Sequence, residues 1–151
     1  MRAVIQRVSR ASVKVDGEVT GSIDQGLLVF LGVDREDEEK DLDWLLGKVV
    51  GLRVFEDDQG RMNHAVKEVK GGVLVISQFT LFGNLRKGTR PSFNRAAEPQ
   101  VAEAAYLDFL KRVGQELGYP AQAGRFGAAM AIDAENDGPV TIVLDSKDKR
   151  F

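Results

Sequence analysis

The chain has 151 residues, 43% of them apolar and 29% charged, with a formal net charge of −2, which is typical of one globular domain. The absence of cysteine excludes disulfides, thiolate nucleophiles and most zinc sites, and a Ser-His-Asp triad would have to use the one histidine, His64. A net negative charge disfavours binding to nucleic acid through charge alone. No apolar run approaches the roughly 20 residues of a membrane helix, and the first residues do not resemble a signal peptide. We therefore expect a single domain over residues 1–151, located in the cytoplasm, with no metal and no cofactor.

The first third of the chain predicts strands. Residues 3–8 and 11–15 favour extended structure, and the Asp-Gly pair at 16–17 is a strong hairpin signal with its return strand at 18–23. Residues 26–33 form a continuous apolar run, as in a strand that is buried on both faces.

A first helix is predicted to open with the acidic residues 36–41, and its apolar stripe is formed by Leu42, Leu45, Leu46 and Val49. A short strand is expected at 53–55. Residues 72–80 are the clearest strand of the sequence.

A second helix is predicted over 99–117, with Ala102, Tyr106, Phe109, Val113 and Leu117 on one face. Two final strands are expected near 126–132 and 140–144, joined by a Gly-Pro turn. Strands dominate and the two helices are separated in sequence, which predicts an α+β fold with a curved mixed or antiparallel sheet and two main helices packed on it.

The polar end of the 72–80 strand is the first candidate site. Ser77, Gln78, Phe79 and Thr80 follow an apolar run, and polar groups at the end of a buried strand need partners or a ligand. Gln78 carries two N–H donors that suit a developing oxyanion, and Thr80 offers a hydroxyl. The alternative is that these side chains only satisfy the backbone of the next loop.

The second candidate is the Gly-Pro pair at Gly138 and Pro139. The simple interpretation is a hairpin turn, because Asn, Asp, Gly and Pro are typical turn residues. A cis peptide bond before proline would instead point neighbouring carbonyls the same way, so that they accept hydrogen bonds from a substrate ammonium group. The sequence alone favours the turn.

Two further groups allow a functional or a structural interpretation. Phe126 and Met130 suit an apolar slot for a flat base, or plain core packing. The basic run of Arg86, Lys87 and Arg90 suits phosphate groups, or is a solvated loop. His64 has no motif around it and is interpreted as a surface or packing residue.

Four segments together resemble the D-aminoacyl-tRNA deacylase family: residues 1–8, 77–81, 124–127 with Met130, and 136–141. The resemblance extends over essentially the whole chain. It implies a barrel-like fold, hydrolysis of the ester that joins a D-amino acid or glycine to the 3′ end of tRNA, and a homodimer without a membrane partner. It also implies that the Gly-Pro peptide is cis and reaches across the dimer into the partner's site.

The same resemblance assigns roles to individual residues. Gly138 and Pro139 would bind the substrate amino group through their carbonyls and exclude L-residues, Arg7 would brace that turn, and Asn136 would belong to the same substrate-binding group. The scissile ester would be lined by Ser77, Gln78, Phe79 and Thr80. Phe126 and Met130 would lie near the terminal adenosine.

The catalytic step has two candidate routes. In the first, the 2′-hydroxyl of the terminal ribose helps to activate water while Gln78 or nearby backbone N–H groups stabilise the oxyanion. In the second, Thr80 is a nucleophile, although no base to activate it is visible in the sequence. Two rival functions also fit: a non-catalytic module that binds RNA ends or nucleotides, and a hydrolase of another activated acyl ester.

Overall fold

The computed structural model describes residues 1–150, which form eight strands and two α-helices. In chain order the elements are β1 (Arg2–Val15), β2 (Glu18–Ile23), β3 (Gly26–Gly32), α1 (Glu39–Val50), β4 (Phe55–Glu56), β5 (Met62–His64), β6 (Gly72–Ser77), α2 (Pro99–Leu117), β7 (Gln122–Ala123) and β8 (Ala131–Asp145). A short 3-10 helix, Phe79–Phe82, follows β6. Neither α-helix of this part of the chain has the length and apolar character needed to cross a membrane.

The main sheet is mixed and has the order β2-β1-β3-β6-β7, with β8 paired to β1. β1 pairs antiparallel with β2, β3 and β8, whereas β3–β6 and β6–β7 are parallel. The two ends of the sheet curl towards each other. β2 and β7 approach so closely that a Cβ added to Gly21 would lie 2.4 Å from the carbonyl oxygen of Ala123. The predicted barrel-like α+β fold is therefore confirmed.

β1 is one strand of 14 residues that includes both segments predicted to be extended, 3–8 and 11–15. Its first half pairs with β3 and its second half with β2, while β8 pairs along both halves. The Asp-Gly pair makes the predicted hairpin with β2, and both residues have positive φ, 51° for Asp16 and 80° for Gly17.

The two α-helices pack on one face of the sheet and form the larger core with it. α1 begins with a capping box in which Glu38 and Asp41 each accept a hydrogen bond from the other's backbone N–H. α2 has the predicted bounds and ends at Gly118, which adopts the left-handed conformation with φ 84°. A second, smaller apolar cluster on the opposite face joins Val13 to Ile76 and to Met130.

Two predicted strand boundaries are wrong. β6 ends at Ser77 and a 3-10 helix begins at Phe79, so residues 78–80 do not belong to the strand predicted over 72–80. The strand predicted at 53–55 lies slightly later, at Phe55–Glu56.

The predicted hairpin at the Gly-Pro pair is also wrong, because residues 131–145 form one continuous strand. Gln6 pairs with Thr141 and Val8 pairs with Asn136, so residues 137–140 are looped out opposite Arg7. We call these four residues the β8 bulge. The strand does not reverse there because β1 holds both flanks of the bulge in one ladder.

Candidate functional site

An open cavity of about 550 Å³ lies where β3 and β6 end beside the first turns of α2. Its polar edge is formed by Ser77 and Gln78, and its walls are mostly apolar. The aromatic lining residues are Phe79, Phe93, Tyr106 and Phe126, with Met130 beside them. This volume falls within the range of small-molecule pockets, and an apolar cavity with a few convergent polar groups is typical of a binding site.

The polar edge arises where β6 ends. The backbone N–H of Gln78 donates to the carbonyl of Leu31 at 2.7 Å, and the chain then turns into the 3-10 helix. The Gln78 side-chain amide donates a hydrogen bond to the hydroxyl of Thr80. Thr80 itself is exposed and does not line the cavity.

Aromatic contacts shape the walls. Phe79 is 58% exposed and meets the ring of Phe93 edge to face, with 5.0 Å between the ring centroids. Phe126 packs against Tyr106 at 5.8 Å. The Tyr106 hydroxyl donates to the carbonyl of Val75 at 2.9 Å, and burial raises the pKa of Tyr106 to about 12. Tyr106 is therefore a neutral wall residue at physiological pH and not a base.

Two arginines hold the 3-10 helix in place. The Arg2 guanidinium donates to the Leu81 carbonyl at 2.6 Å and pairs with Asp145 at 2.7 Å. Phe82 is buried next to this guanidinium and next to that of Arg95, at 5.0 and 5.7 Å from the ring centroid. Arg2 and Asp145 thus connect the 3-10 helix beside the polar edge to β1 and β8.

Two aromatic lining residues of the cavity, Phe93 and Tyr106, were not predicted as site residues. Phe93 has no motif around it, and Tyr106 is indistinguishable from the other apolar residues on the α2 stripe. Only their tertiary position identifies them.

The β8 bulge lies apart from the cavity. The peptide bond between Gly138 and Pro139 is cis, as the resemblance implies. Both residues are exposed, and neither lines the cavity of its own chain. Any contact between this bulge and a cavity of this kind therefore needs a second copy of the chain or a rearrangement.

The side chains of Arg7 and Asn136 hold the β8 bulge in position. Arg7 is 6% exposed and donates to the carbonyl of Asp137 at 2.9 Å and to that of Val54 at 2.6 Å. The Asn136 side chain bridges the base of the bulge, because its amide donates to the Val140 carbonyl at 3.1 Å and accepts from the Val140 N–H at 3.0 Å. The Asn136 side chain thus contacts the backbone of Val140, and it does not line the cavity.

His64 lies away from both places. Its Nδ1 is 3.2 Å from Glu68, which also accepts a hydrogen bond from the Ala65 N–H. The structure thus supports the interpretation of His64 as a surface residue.

Comparison with known proteins identifies one family of enzymes. The family described as D-Tyr-tRNA(Tyr) deacylase matches residues 4–145. A D-aminoacyl-tRNA deacylase of Opitutus terrae is 61% identical over 146 residues, which cover 97% of each chain. One of Symbiobacterium thermophilum is 53% identical over 147 residues, again with 97% of each chain covered.

Two solved structures share the fold of this chain. A structure described as c-Myc DNA Unwinding Element Binding Protein is 41% identical with a TM-score of 0.89, covering 96% of this chain and 98% of that one. A probable eukaryotic D-amino acid tRNA deacylase has a TM-score of 0.79 at 18% identity, covers 95% of this chain and 97% of its own, and shows the fold alone. The predicted family and its class of enzyme, a deacylase, are confirmed. The chain belongs to the D-Tyr-tRNA(Tyr) deacylase family.

Proposed function

We propose that this protein hydrolyses the ester of D-aminoacyl-tRNA and of glycyl-tRNA, releasing the free amino acid and tRNA. The observation that carries the proposal is the meeting of a polar edge, Ser77 and Gln78, with an apolar cavity of about 550 Å³. Such a cavity accommodates a terminal nucleoside against Phe126 and Met130. The ester between ribose and amino acid would then lie at the polar edge.

At this edge Gln78 is the donor to the oxyanion. Its backbone N–H is fixed by the hydrogen bond to Leu31 and its side-chain amide by the hydrogen bond to Thr80, so the amide is ordered before the tetrahedral intermediate forms. The side-chain amide has two N–H groups, of which one donates to Thr80 and the other would donate to the substrate oxygen. Ser77 lines the same edge as a second polar group.

Water is activated by the substrate's own 2′-hydroxyl in this proposal. The Thr80 hydroxyl accepts a hydrogen bond from Gln78, and within residues 1–150 no carboxylate, imidazole or amine hydrogen-bonds to it. A hydroxyl without an adjacent base is a poor nucleophile. An aminoacyl ester is already an activated acyl group, so a full triad is not required.

The Thr80 variant separates the two routes. We expect Thr80→Ala to retain turnover of D-tyrosyl-tRNA within a few-fold, because the hydroxyl forms no bond to the substrate in the substrate-assisted route. Thr80→Val is the isosteric control for packing. An inactive Thr80→Ala enzyme that still binds substrate would favour the nucleophile.

Stereochemical selection comes from a second copy of the chain. Gly138 and Pro139 are exposed and lie outside the cavity of their own chain. In a homodimer, the β8 bulge would enter the partner's cavity and bind the substrate ammonium through its backbone carbonyls. Because this mode recognises the amino group and not the side chain, many D-residues and glycine would be accepted and L-residues excluded.

The decisive assay follows release of the amino acid from D-tyrosyl-, glycyl- and L-tyrosyl-tRNA. We expect hydrolysis of the first two and protection of the third. Hydrolysis of L-tyrosyl-tRNA at a comparable rate would contradict the stereochemical proposal, and absence of hydrolysis of any of them would contradict the enzymatic one. The cytoplasmic location expected from the sequence stays a prediction.

A mixing experiment tests the dimer. Gln78→Ala removes the donor, and Gly138→Ala deforms the bulge because its Cβ would lie 2.3 Å from the Val140 nitrogen. If the bulge acts across the dimer, a heterodimer of the two variants contains one intact site, so random co-assembly restores about a quarter of wild-type activity. If the bulge acts within its own chain, mixing restores nothing.

A further inference from the structure

The segment 83–97, which links the 3-10 helix to α2, differs in charge from the rest of the chain. It contains Arg86, Lys87, Arg90 and Arg95 and no Asp or Glu, although acidic residues outnumber Lys and Arg by 23 to 21 overall. A local excess of cations in a protein of negative net charge indicates a local anionic partner.

Most of these cations have no ion-pair partner among the described residues, 1–150. Arg95 pairs with the buried carboxylate of Asp34. Arg86, Lys87 and Arg90 are exposed and form no ion pair with any of residues 1–150. Some exposed arginines elsewhere, such as Arg10 and Arg150, pair with Asp133 and Asp148, whereas Arg61 and Arg125 do not pair within residues 1–150; only segment 83–97 gathers several unpaired cations without an acidic residue.

The three unpaired cations lie on a loop of defined shape. Asn84 and Ser92 close its base with two backbone hydrogen bonds of 2.8 and 3.1 Å. Inside the loop the Arg86 N–H donates to the Asn84 side chain at 2.9 Å, and Gly88 turns the chain with φ 117°. We call residues 85–91 the basic loop. A loop held in this way loses less entropy on binding than a free tail.

The basic loop starts and ends beside the cavity. Phe79 precedes it and Phe93 follows it, and both rings line the cavity and contact each other. A ligand that leaves the cavity on this side therefore passes the basic loop.

We propose that the basic loop binds the phosphodiester backbone of the single-stranded 3′ end of tRNA, immediately before the terminal nucleoside. This inference rests on the proposed function, because it assumes that the nucleoside occupies the cavity. Arg and Lys bind phosphate oxygens by charge-assisted hydrogen bonds, which fix the register of the strand without reading its sequence. The loop would thus let the enzyme act on many tRNAs while positioning one ester.

The test compares a substrate that has phosphates with one that has none. The variant R86Q/K87Q/R90Q is assayed on D-tyrosyl-tRNA and on D-tyrosyl-adenosine. Since each exposed charge pair contributes little and three are removed together, kcat/KM on tRNA should fall about tenfold. The slope of log kcat/KM against log salt should become shallower by about 2, because three contacts to a single strand are lost. Activity on D-tyrosyl-adenosine should not change.

Two further variants serve as controls. K48Q/R61Q/K111Q removes the same charge outside segment 83–97 and should leave the salt slope unchanged. R86K/R90K keeps the charge and should keep most of the slope.

Two results would overturn the proposal: an unchanged salt slope in R86Q/K87Q/R90Q, or an equal loss on both substrates, which would mean that the loop only shapes the cavity. If the wild-type protein hydrolyses neither substrate, the proposed function fails. Binding of a short single-stranded RNA to wild-type and variant then still tests the loop. Equal affinity and equal salt dependence would overturn the inference.

Discussion

The polar edge of the cavity presents side chains to a ligand, whereas the β8 bulge presents its backbone. At Ser77 and Gln78 the backbone is engaged in pairing, and the side chains face the cavity. At Gly138 and Pro139 the backbone is looped out of the β1–β8 ladder, and the side chains of Arg7 and Asn136 hold it in place.

This difference decides how each region can be tested. A side chain that acts directly can be truncated, and the loss measures its role. A backbone group cannot be removed, so it must be displaced through the side chains that hold it, here Arg7 and Asn136.

The largest effect on turnover is expected for Gln78→Ala. Removal of one donor to an oxyanion lowers kcat by about 10²- to 10³-fold. The fold should be unaffected, because the backbone bond to Leu31 does not involve the side chain. Steady-state kinetics on D-tyrosyl-tRNA measure the effect, with Gln115→Ala on the exposed face of α2 as the matched control. A kcat within twofold of wild type would exclude Gln78 as the donor.

The next largest effect is expected for Arg7→Ala. The carbonyls of Asp137 and Val54 lose their charged donor, which lowers the free energy of unfolding by roughly 2–4 kcal/mol. Displacement of the bulge should also reduce turnover by about 10- to 100-fold. Urea denaturation and deacylation assays measure the two effects. Arg10→Ala, an exposed position, is the control, and equal behaviour of the two variants would show that Arg7 does not brace the bulge.

A smaller effect is expected for Asn136. Asn136→Ala removes both hydrogen bonds that span the bulge, a loss of about 1–2 kcal/mol in the local structure. Asn136→Asp keeps the acceptor for the Val140 N–H but loses the donor to the Val140 carbonyl, so its turnover should lie between those of wild type and Asn136→Ala. Turnover that is lower for Asp than for Ala would mean that Asn136 contacts the substrate instead.

The smallest effect on turnover is expected at Lys147, whose side chain belongs to neither region. Burial opposes ionisation of Asp41, but hydrogen bonds from Lys147, from the backbone at Glu38 and from Ser146 outweigh it and lower the pKa of Asp41 to about 2. This contribution to stability is present above pH 4 and is lost as the pH falls towards 2.

Lys147→Met should therefore destabilise the protein by about 1–2 kcal/mol at neutral pH and by less near pH 2, with kcat unchanged. Urea denaturation at both pH values, together with a deacylation assay, measures this. A loss of turnover equal to that of Asn136→Ala would mean that sensitivity to mutation is not confined to the two regions.

Local sequence signals predicted correctly those elements whose local preference is compatible with the tertiary pairing around them. The bounds of α2 follow from Pro99 at its start and Gly118 after its end, and the Asp-Gly pair marks the first hairpin. The turn residues at 136–139 were misleading, because β1 pairs with both flanks and converts a local turn into a bulge. Pairing over such a distance leaves no local mark in the sequence.

The candidate site was predicted only in part. Gln78, Phe126 and Met130 do line one cavity, yet the sequence connects them only through a family resemblance. Phe93 and Tyr106 complete the walls without any signal that distinguishes them from ordinary core residues. The roles assigned to the individual residues stay predictions.

The pairing of β1 with β8 also bears on how the protein is made. Arg2 bonds to Asp145 across 143 positions, so the first strand to be synthesised is completed by the last. Contacts of such sequence separation form slowly, and an unpaired strand edge is open to aggregation until they do. Until residues 131–145 have been synthesised β1 therefore lacks its β8 partner, and the bulge can form opposite Arg7 only when the pairs on both of its flanks, Gln6 with Thr141 and Val8 with Asn136, are in place.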